Sequence, residues 1–228
     1  MICCYDLNTI YEYLNQLKID LFCTNSCKKR EQDIVEEIVC KLIDNKFYKE
    51  NSCECEKDIS LLEVLIYEIT YIQKCGKCEE NYGYLAQLER FKCILKNIKK
   101  LICQLGCLCL KKCELTAQLL CVLYEILELL QNIISKIVNI ECICESCLCC
   151  KEEILECMLC NLVNVIGDLE ERTQELAHIV LELTMKNIIN CTPCTIASST
   201  CKRDYVKDYY NLCSYNECCI SKNKNTNK

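Results

Sequence analysis

The sequence predicts an all-α fold of six to seven heptad-patterned helices packed as an antiparallel, disulfide-rich helical bundle. Apolar residues recur every three to four positions along most of the chain, which is the spacing of one helix face. The 228 residues include only four glycines and one proline, so few points interrupt long helices. Most of the 28 cysteines lie near the ends of the apolar segments, where a disulfide joins two elements without distorting either.

The first half of the chain is predicted to form four helices. The second is expected over about residues 28–46, Asp58 is the predicted N-cap of the third, and Gly106 is predicted to break or bend the fourth. The apolar residues that define the four helices are Leu7, Ile10, Leu14, Leu17 and Leu21; Val35, Ile38 and Leu42; Leu62, Leu65, Ile69 and Ile72; and Leu88, Phe91, Leu95, Ile98, Ile102 and Leu105.

Two longer helices are predicted next. The fifth has an apolar face too wide for a two-stranded coiled coil, so we expect it at the centre of the bundle. The sixth keeps the same spacing with one polar position, Thr173, and a weak point at Gly167. Their seams are Leu119, Leu123, Ile126, Leu130, Ile133, Ile137 and Ile140; and Leu155, Leu159, Leu162, Ile166, Leu169, Leu176, Val180 and Leu183.

The C-terminal part of the chain has a different composition. Residues 192–200 are predicted to be a polar linker, residues 202–212 a short tyrosine-rich helix, and residues 220–228 a disordered polar tail. We therefore expect one helical, cysteine-rich domain over residues 1–219, with a candidate sub-division near residues 76–83.

Charge and hydropathy argue against two classes of partner. The net charge is −6 without a block of Lys and Arg, so nucleic acid is not an expected partner. No run approaches the roughly 18 to 20 apolar residues of a membrane span. The start, MICCYDLNTI, lacks a signal peptide, which predicts synthesis in the cytosol. Because so many cysteines indicate an oxidising destination, either thiolates bind metal in the cytosol or oxidation follows release.

The cysteines inside the predicted helices share one heptad position. With the apolar seam as positions a and d, Cys40, Cys93, Cys121 and Cys157 all occupy position f, opposite the seam. Cysteine that only filled space would lie on the buried stripe. These four are therefore candidates for disulfides between chains; the alternative is that each helix has a second buried face.

Other cysteines form adjacent or closely spaced groups. Cys3 with Cys4 and Cys218 with Cys219 are neighbours near the chain ends, where each sulfur can bond a different partner. We expect these four in disulfides between chains. The candidates for disulfides within one chain are Cys53, Cys55, Cys75, Cys78, Cys142, Cys144, Cys147, Cys191 and Cys194.

Metal binding is the main competing hypothesis, because thiolates bind zinc, copper(I) and iron–sulfur clusters. Cys144, Cys147 and Cys150 have a C-x2-C-x2-C spacing, with Cys157 as a fourth candidate ligand. Ferredoxin-type cluster sites have their fourth cysteine three residues after the third, followed by a proline, and neither is present here. We therefore expect no metal site. Under the competing hypothesis, these four cysteines would be the metal ligands.

No catalytic or cofactor site is expected. The only histidine, His178, lies within the sixth predicted helix and is interpreted as a packed or solvated residue. A cysteine nucleophile would therefore lack a histidine as its general base. Glycine-rich phosphate loops are absent, and no strand precedes either C-x-x-C motif, as a thioredoxin-like site requires. The sequence thus predicts a non-enzymatic protein without a cofactor.

The chain is rich in Ile, Asn, Lys and Tyr and has no tryptophan, and adjacent or closely spaced cysteines occur throughout it. In these respects it resembles the cysteine-rich proteins of clostridial spore coats and exosporium, above all the self-assembling basal-layer type. The resemblance implies synthesis in the mother cell and a spore-surface location. It also implies that the protein assembles with itself, and with other surface-layer proteins, into a disulfide-cross-linked ordered layer. The alternative expectation is a helical copper or zinc store.

Overall fold

The structure, a computed structural model, describes residues 7–25, 30–43, 60–78, 80–108, 115–146 and 150–190. These residues contain six α-helices and no strand, and 92% of them are helical, which confirms the predicted all-α fold. The predicted helix at 202–212 and the tail at 220–228 lie outside this part. The helices are α1 (Leu7–Asn25), α2 (Glu31–Ile43), α3 (Leu61–Cys75), α4 (Tyr82–Gly106), α5 (Thr116–Glu145) and α6 (Lys151–Asn190).

The chain divides into two compact units, Met1–Asn187 and Ile188–Lys228. Almost all described residues belong to the first unit, and only the last turn of α6 belongs to the second. Residues 76–83, the candidate sub-division, lie inside the first unit, where they connect α3 to α4.

Helices α3 and α4 begin at side-chain caps. Ser60 forms a capping box with Glu63: the Ser60 hydroxyl accepts from the Glu63 backbone N–H, and the Glu63 carboxylate accepts from the Ser60 backbone N–H. The N-cap of α3 is therefore Ser60 and not Asp58, which lies outside the described residues; the S-x-x-E spacing marks this start. Asn81 caps α4 by accepting from the Tyr84 N–H at 3.0 Å.

Polar contacts show that neighbouring helices run antiparallel. Glu63 near the start of α3 pairs with Lys99 near the end of α4, whereas Gln73 near the end of α3 bonds Glu89 near the start of α4 at 2.9 Å. Between α5 and α6, Gln118 donates to Glu175 at 3.4 Å, and the later Glu125 pairs with the earlier Arg172 at 3.2 Å. The closest helix approaches are α1 with α5, α3 with α4, and α2 with both α4 and α5.

Helix α2, rather than the predicted α5, is the helix with the most close neighbours in the described part, since it approaches α1, α3, α4 and α5. Helix α5 contributes the most buried side chains. Its seven seam residues are all buried, as are Leu120, Leu127 and Ile134 on the flanks of the seam. It is long and apolar enough to cross a membrane, and no other helix of the described ranges meets that test. However, 56% of its most apolar window is buried against the other helices. Its apolar character is accounted for by the core.

Helix α6 runs without a break through Gly167, so the predicted weak point does not interrupt it. Its 40 residues span about 60 Å at 1.5 Å per residue. The polar seam position, Thr173, is buried, and its hydroxyl donates to the Leu169 carbonyl at 2.7 Å. Gly106, by contrast, is the last residue of α4, where the end of that helix was predicted.

Candidate cross-linking site

Cysteine is almost excluded from the described core. The buried cluster consists mainly of Leu, Ile and Val, and its only cysteine is Cys78. A free cysteine is normally among the most buried residue types, because its thiol behaves as a small hydrophobic group. Packing therefore does not explain the exposed free thiols, which are Cys40, Cys75, Cys103, Cys107, Cys121, Cys142, Cys150, Cys157 and Cys160.

The structure separates the four position-f cysteines into two groups. Cys40 on α2, Cys121 on α5 and Cys157 on α6 are exposed, while Cys93 on α4 is half-buried. Leu127 and Ile134 are fully buried, so the apolar face of α5 is wider than its seam, but this wider face does not cover Cys121. Three of the four thiols can therefore meet another molecule.

One disulfide, between Cys78 and Cys144, joins the end of α3 to the end of α5. Their Cα atoms are 5.5 Å apart, within the usual range for a disulfide. The two cysteines are 66 residues apart in sequence, and closing a loop of that length stabilises the fold by about 4 kcal/mol in the chain-entropy model. Both were candidates for disulfides within one chain, although the sequence did not indicate which cysteines pair.

The turn before this disulfide is also held by polar contacts. The Lys77 backbone N–H donates to Glu141 Oε2 at 2.6 Å, and Lys77 Nζ lies 3.1 Å from Glu145 Oε1. Glu141 also affects the buried Tyr84, whose pKa is raised well above its ordinary value, first by burial and then by this carboxylate. The turn at residues 75–78 is thus fixed to α5 by one covalent bond and two polar contacts.

Gly76 permits the close approach of this turn. A Cβ at this position would lie 2.4 Å from the Ile72 carbonyl oxygen and 3.1 Å from Glu141 Oε1. Because the nearer atom belongs to the backbone, it cannot move aside as the end of a side chain would. We expect Gly76→Ala to lower the free energy of unfolding by about 1–3 kcal/mol, measured by denaturant unfolding with Gly83→Ala as the control. Equal stability of the two variants would contradict the close-approach argument.

Local surroundings suppress the acidity of two exposed thiols. Partial desolvation raises the pKa of Cys103, and the nearby ammonium of Lys99 only partly opposes it. Desolvation also raises the pKa of Cys121, followed by the Glu125 carboxylate. The thiolate is the reactive species in oxidation and exchange, so a raised pKa lowers the fraction of each thiol that can react at a given pH.

The raised pKa of Cys103 predicts how its alkylation depends on pH. Because folding raises its pKa, the thiolate fraction at a given pH below that pKa is smaller in the folded chain than in the unfolded one. The pH midpoint of alkylation, followed by mass spectrometry of the Cys103 peptide, should therefore be higher in buffer than in concentrated urea. A midpoint that is equal or lower in buffer would show that folding does not suppress this thiolate.

The structure does not assemble the alternative metal site. Cys144 is in a disulfide and so offers no thiolate, and Cys147 lies outside the described residues. Cys150 and Cys157 are seven positions apart at the start of α6, which corresponds to about 10 Å along a helix axis. Across the described ranges, no group of three or more His, Cys, Asp or Glu side chains has a geometry that could hold a metal ion.

Several predicted cross-linking residues lie outside the described ranges, so their pairing stays a prediction. They are Cys3, Cys4, Cys53, Cys55, Cys147, Cys191, Cys194, Cys218 and Cys219. Within the described ranges, sequence reasoning missed Cys160 as an exposed thiol, although its position three residues after Cys157 places it near that thiol on α6. It also missed that Cys75 and Cys142 line the same groove, which requires knowing how α3 packs on α5.

Comparison with known proteins gives no relative: no protein-family model, curated protein or solved structure matches the chain.

Proposed function

We propose that the chain is a structural, self-assembling protein, not an enzyme, whose surface thiols cross-link copies into an ordered, disulfide-bonded layer. The observation that carries this proposal is that the cysteines are exposed where free cysteines are usually buried. One cysteine lies in the described core, and nine free thiols are exposed. The resemblance in composition to clostridial exosporium and coat proteins supports a spore-surface location after synthesis in the cytosol.

The distribution of the exposed thiols supports an extended layer in preference to a simple dimer. A closed dimer needs one self-complementary patch, whereas a sheet needs contacts on several sides of each chain. Exposed thiols occur on α2, α3, α5 and α6, and two further ones lie at the end of α4. One chain can therefore bond to several neighbours.

The core supports an order of events in which folding precedes cross-linking. Apart from Cys78, the buried cluster contains no sulfur that must be oxidised or reduced to pack. The helices can thus pack while the surface thiols are still reduced, and helix packing can set the contacts between chains first. Oxidation then fixes neighbours that are already aligned, because disulfides form only between sulfurs held at short range.

A cysteine-rich copper or zinc store is the competing function. A helical store that shields soft metal ions directs thiolates into the bundle interior, where several converge. The described thiols instead point outward from separate helices, and the described core offers one sulfur, which is in a disulfide. The geometry of the described part therefore favours cross-linking over storage.

Electron microscopy of the purified chain, with and without reductant, tests the proposal. We expect ordered sheets or tubes under oxidising conditions, and elemental analysis of the same sample should find less than one metal ion per chain. Small discrete particles containing several zinc or copper ions per chain would overturn the proposal in favour of a store. Discrete metal-free particles both with and without reductant would also contradict the proposed ordered layer.

A further inference from the structure

A groove of about 500 Å³ lies where the ends of α3 and α5 meet the start of α1. Ile72 and Cys75 contribute to it from α3, Val138 and Cys142 from α5, and Leu7 from α1. A compact space of that volume is about 8 Å across, which accommodates a few side chains. The groove adjoins the Cys75–Cys78 turn but is separate from the disulfide, since neither Cys78 nor Cys144 lines it.

Two free thiols face this groove from different helices. Cys75 is the last residue of α3, Cys142 lies three residues before the end of α5, and both are exposed. They are not bonded to each other, although each is close in sequence to a cysteine of the existing disulfide. The groove thus combines apolar residues and two sulfurs available for a further bond with four charged side chains, those of Glu68, Lys77, Glu141 and Glu145.

The position of Leu7 identifies the nearest candidate occupant. Leu7 lines the groove and directly follows residues 1–6, whose sequence is MICCYD. At no more than about 3.6 Å per residue, the Cα atoms of Cys4 and Cys3 lie within about 11 and 14 Å of that of Leu7. Both cysteines can therefore reach a groove that begins at Leu7. Ile2 and Tyr5 in the same segment supply apolar side chains that match Ile72 and Val138.

We propose that residues 1–6 of the same chain occupy this groove and that one sulfur of Cys3 or Cys4 forms a disulfide with Cys75 or Cys142. In an extended segment, adjacent side chains point in opposite directions. When one of the two sulfurs points into the groove, the other points outward. The outward sulfur is then presented to a neighbouring chain, a consequence that rests on the proposed cross-linking function.

The bond forms by oxidation of two thiols. Each thiol loses one proton, the two sulfurs together lose two electrons, and the S–S bond forms. A small-molecule disulfide such as oxidised glutathione accepts the two electrons and two protons and becomes two thiols. The reaction proceeds by thiolate attack through a mixed disulfide, so no metal or enzyme is required.

Isotope mixing tests the proposal on the full chain. Reduced nitrogen-15-labelled and unlabelled chains are mixed, diluted, reoxidised with oxidised glutathione, alkylated and digested with trypsin without reduction. Cleavage after Lys77 separates Cys75 from Cys78, so their cross-links are distinguishable by mass. We expect the peptide that contains Cys3 and Cys4 to be linked to the Cys75 or Cys142 peptide, with the same isotope in both halves.

Three results would overturn the proposal. Links between peptides with different isotopes would show that a second chain occupies the groove. If no link joins these peptides, the groove does not bind the segment. A bond between Cys3 and Cys4 would show that the two cysteines bond to each other instead. In the double variant Cys75→Ser with Cys142→Ser, the link should be lost. The matched variant Cys103→Ser with Cys107→Ser should retain it. Because the assay uses dilute chains, it is independent of whether ordered layers form.

Discussion

Replacing Ile134 with alanine is expected to lower the free energy of unfolding by about 2–5 kcal/mol. Ile134 lies on α5, the helix with the most buried side chains, and is itself fully buried, so its truncation removes apolar contacts and leaves a cavity. For a chain of this size the loss corresponds to a decrease in melting temperature of about 4–20 °C. Thermal unfolding of the reduced chain, followed by circular dichroism, measures the effect without contributions from disulfides.

The matched control is Asn132→Ala, two residues earlier on the same helix. Asn132 is exposed, so this substitution should change the free energy of unfolding by no more than about 0.5 kcal/mol. Similar melting temperatures for the two variants would mean that this face of α5 is not buried in the core, and the helix packing described above would be wrong.

Replacing the four terminal cysteines with serine is expected to abolish the resistance of the assembled protein to hot detergent. Disulfides between chains make dissociation depend on thiol exchange, whereas disulfides within one chain do not hold copies together. The variant at Cys3, Cys4, Cys218 and Cys219 should still form particles, because helix packing sets the contacts. Electrophoresis without reductant should then show monomers where the unmodified protein remains as high-mass species.

The exposed helix cysteines provide the second arm of this experiment. A variant with serine at Cys40, Cys121 and Cys157 removes thiols that the structure places on separate helix surfaces. If the terminal sulfurs make the links, this triple variant should keep its high-mass species in hot detergent. If instead the terminal variant survives and the triple variant dissociates, the links come from the helix surfaces. The prediction that the terminal cysteines form the disulfides between chains would then be wrong.

The helices were predictable because their apolar residues repeat over many turns. The seam of α5 is buried at every predicted position, and α4 ends at Gly106, where a break or bend was predicted. Helix α6 shows the limit of such reasoning, because Gly167 costs only about 1 kcal/mol inside a helix and the packing of a long apolar seam outweighs it. The start of α3 was misplaced because an acidic residue was preferred over the Ser60 capping box.

The site was less predictable because it depends on contacts between distant residues. The heptad position indicated the exposure of Cys40, Cys121 and Cys157 without any structure, whereas Cys93 at the same position is half-buried. The pairing of Cys78 with Cys144 required knowing that the ends of α3 and α5 meet. The contacts of Lys77 with Glu141 and Glu145 have no sequence signature, since a lysine and two glutamates are common on helix surfaces.

The bond between Cys78 and Cys144 also makes part of the backbone a covalent ring that contains all of α4 and nearly all of α5. A protease that cuts one peptide bond anywhere between these two cysteines opens the ring but releases no fragment, because the sulfurs still connect the two pieces. Two cuts inside the ring are needed to free a peptide from it. A chain with this ring can carry one such cut without losing any residue, and only treatment with a reductant would separate the two pieces.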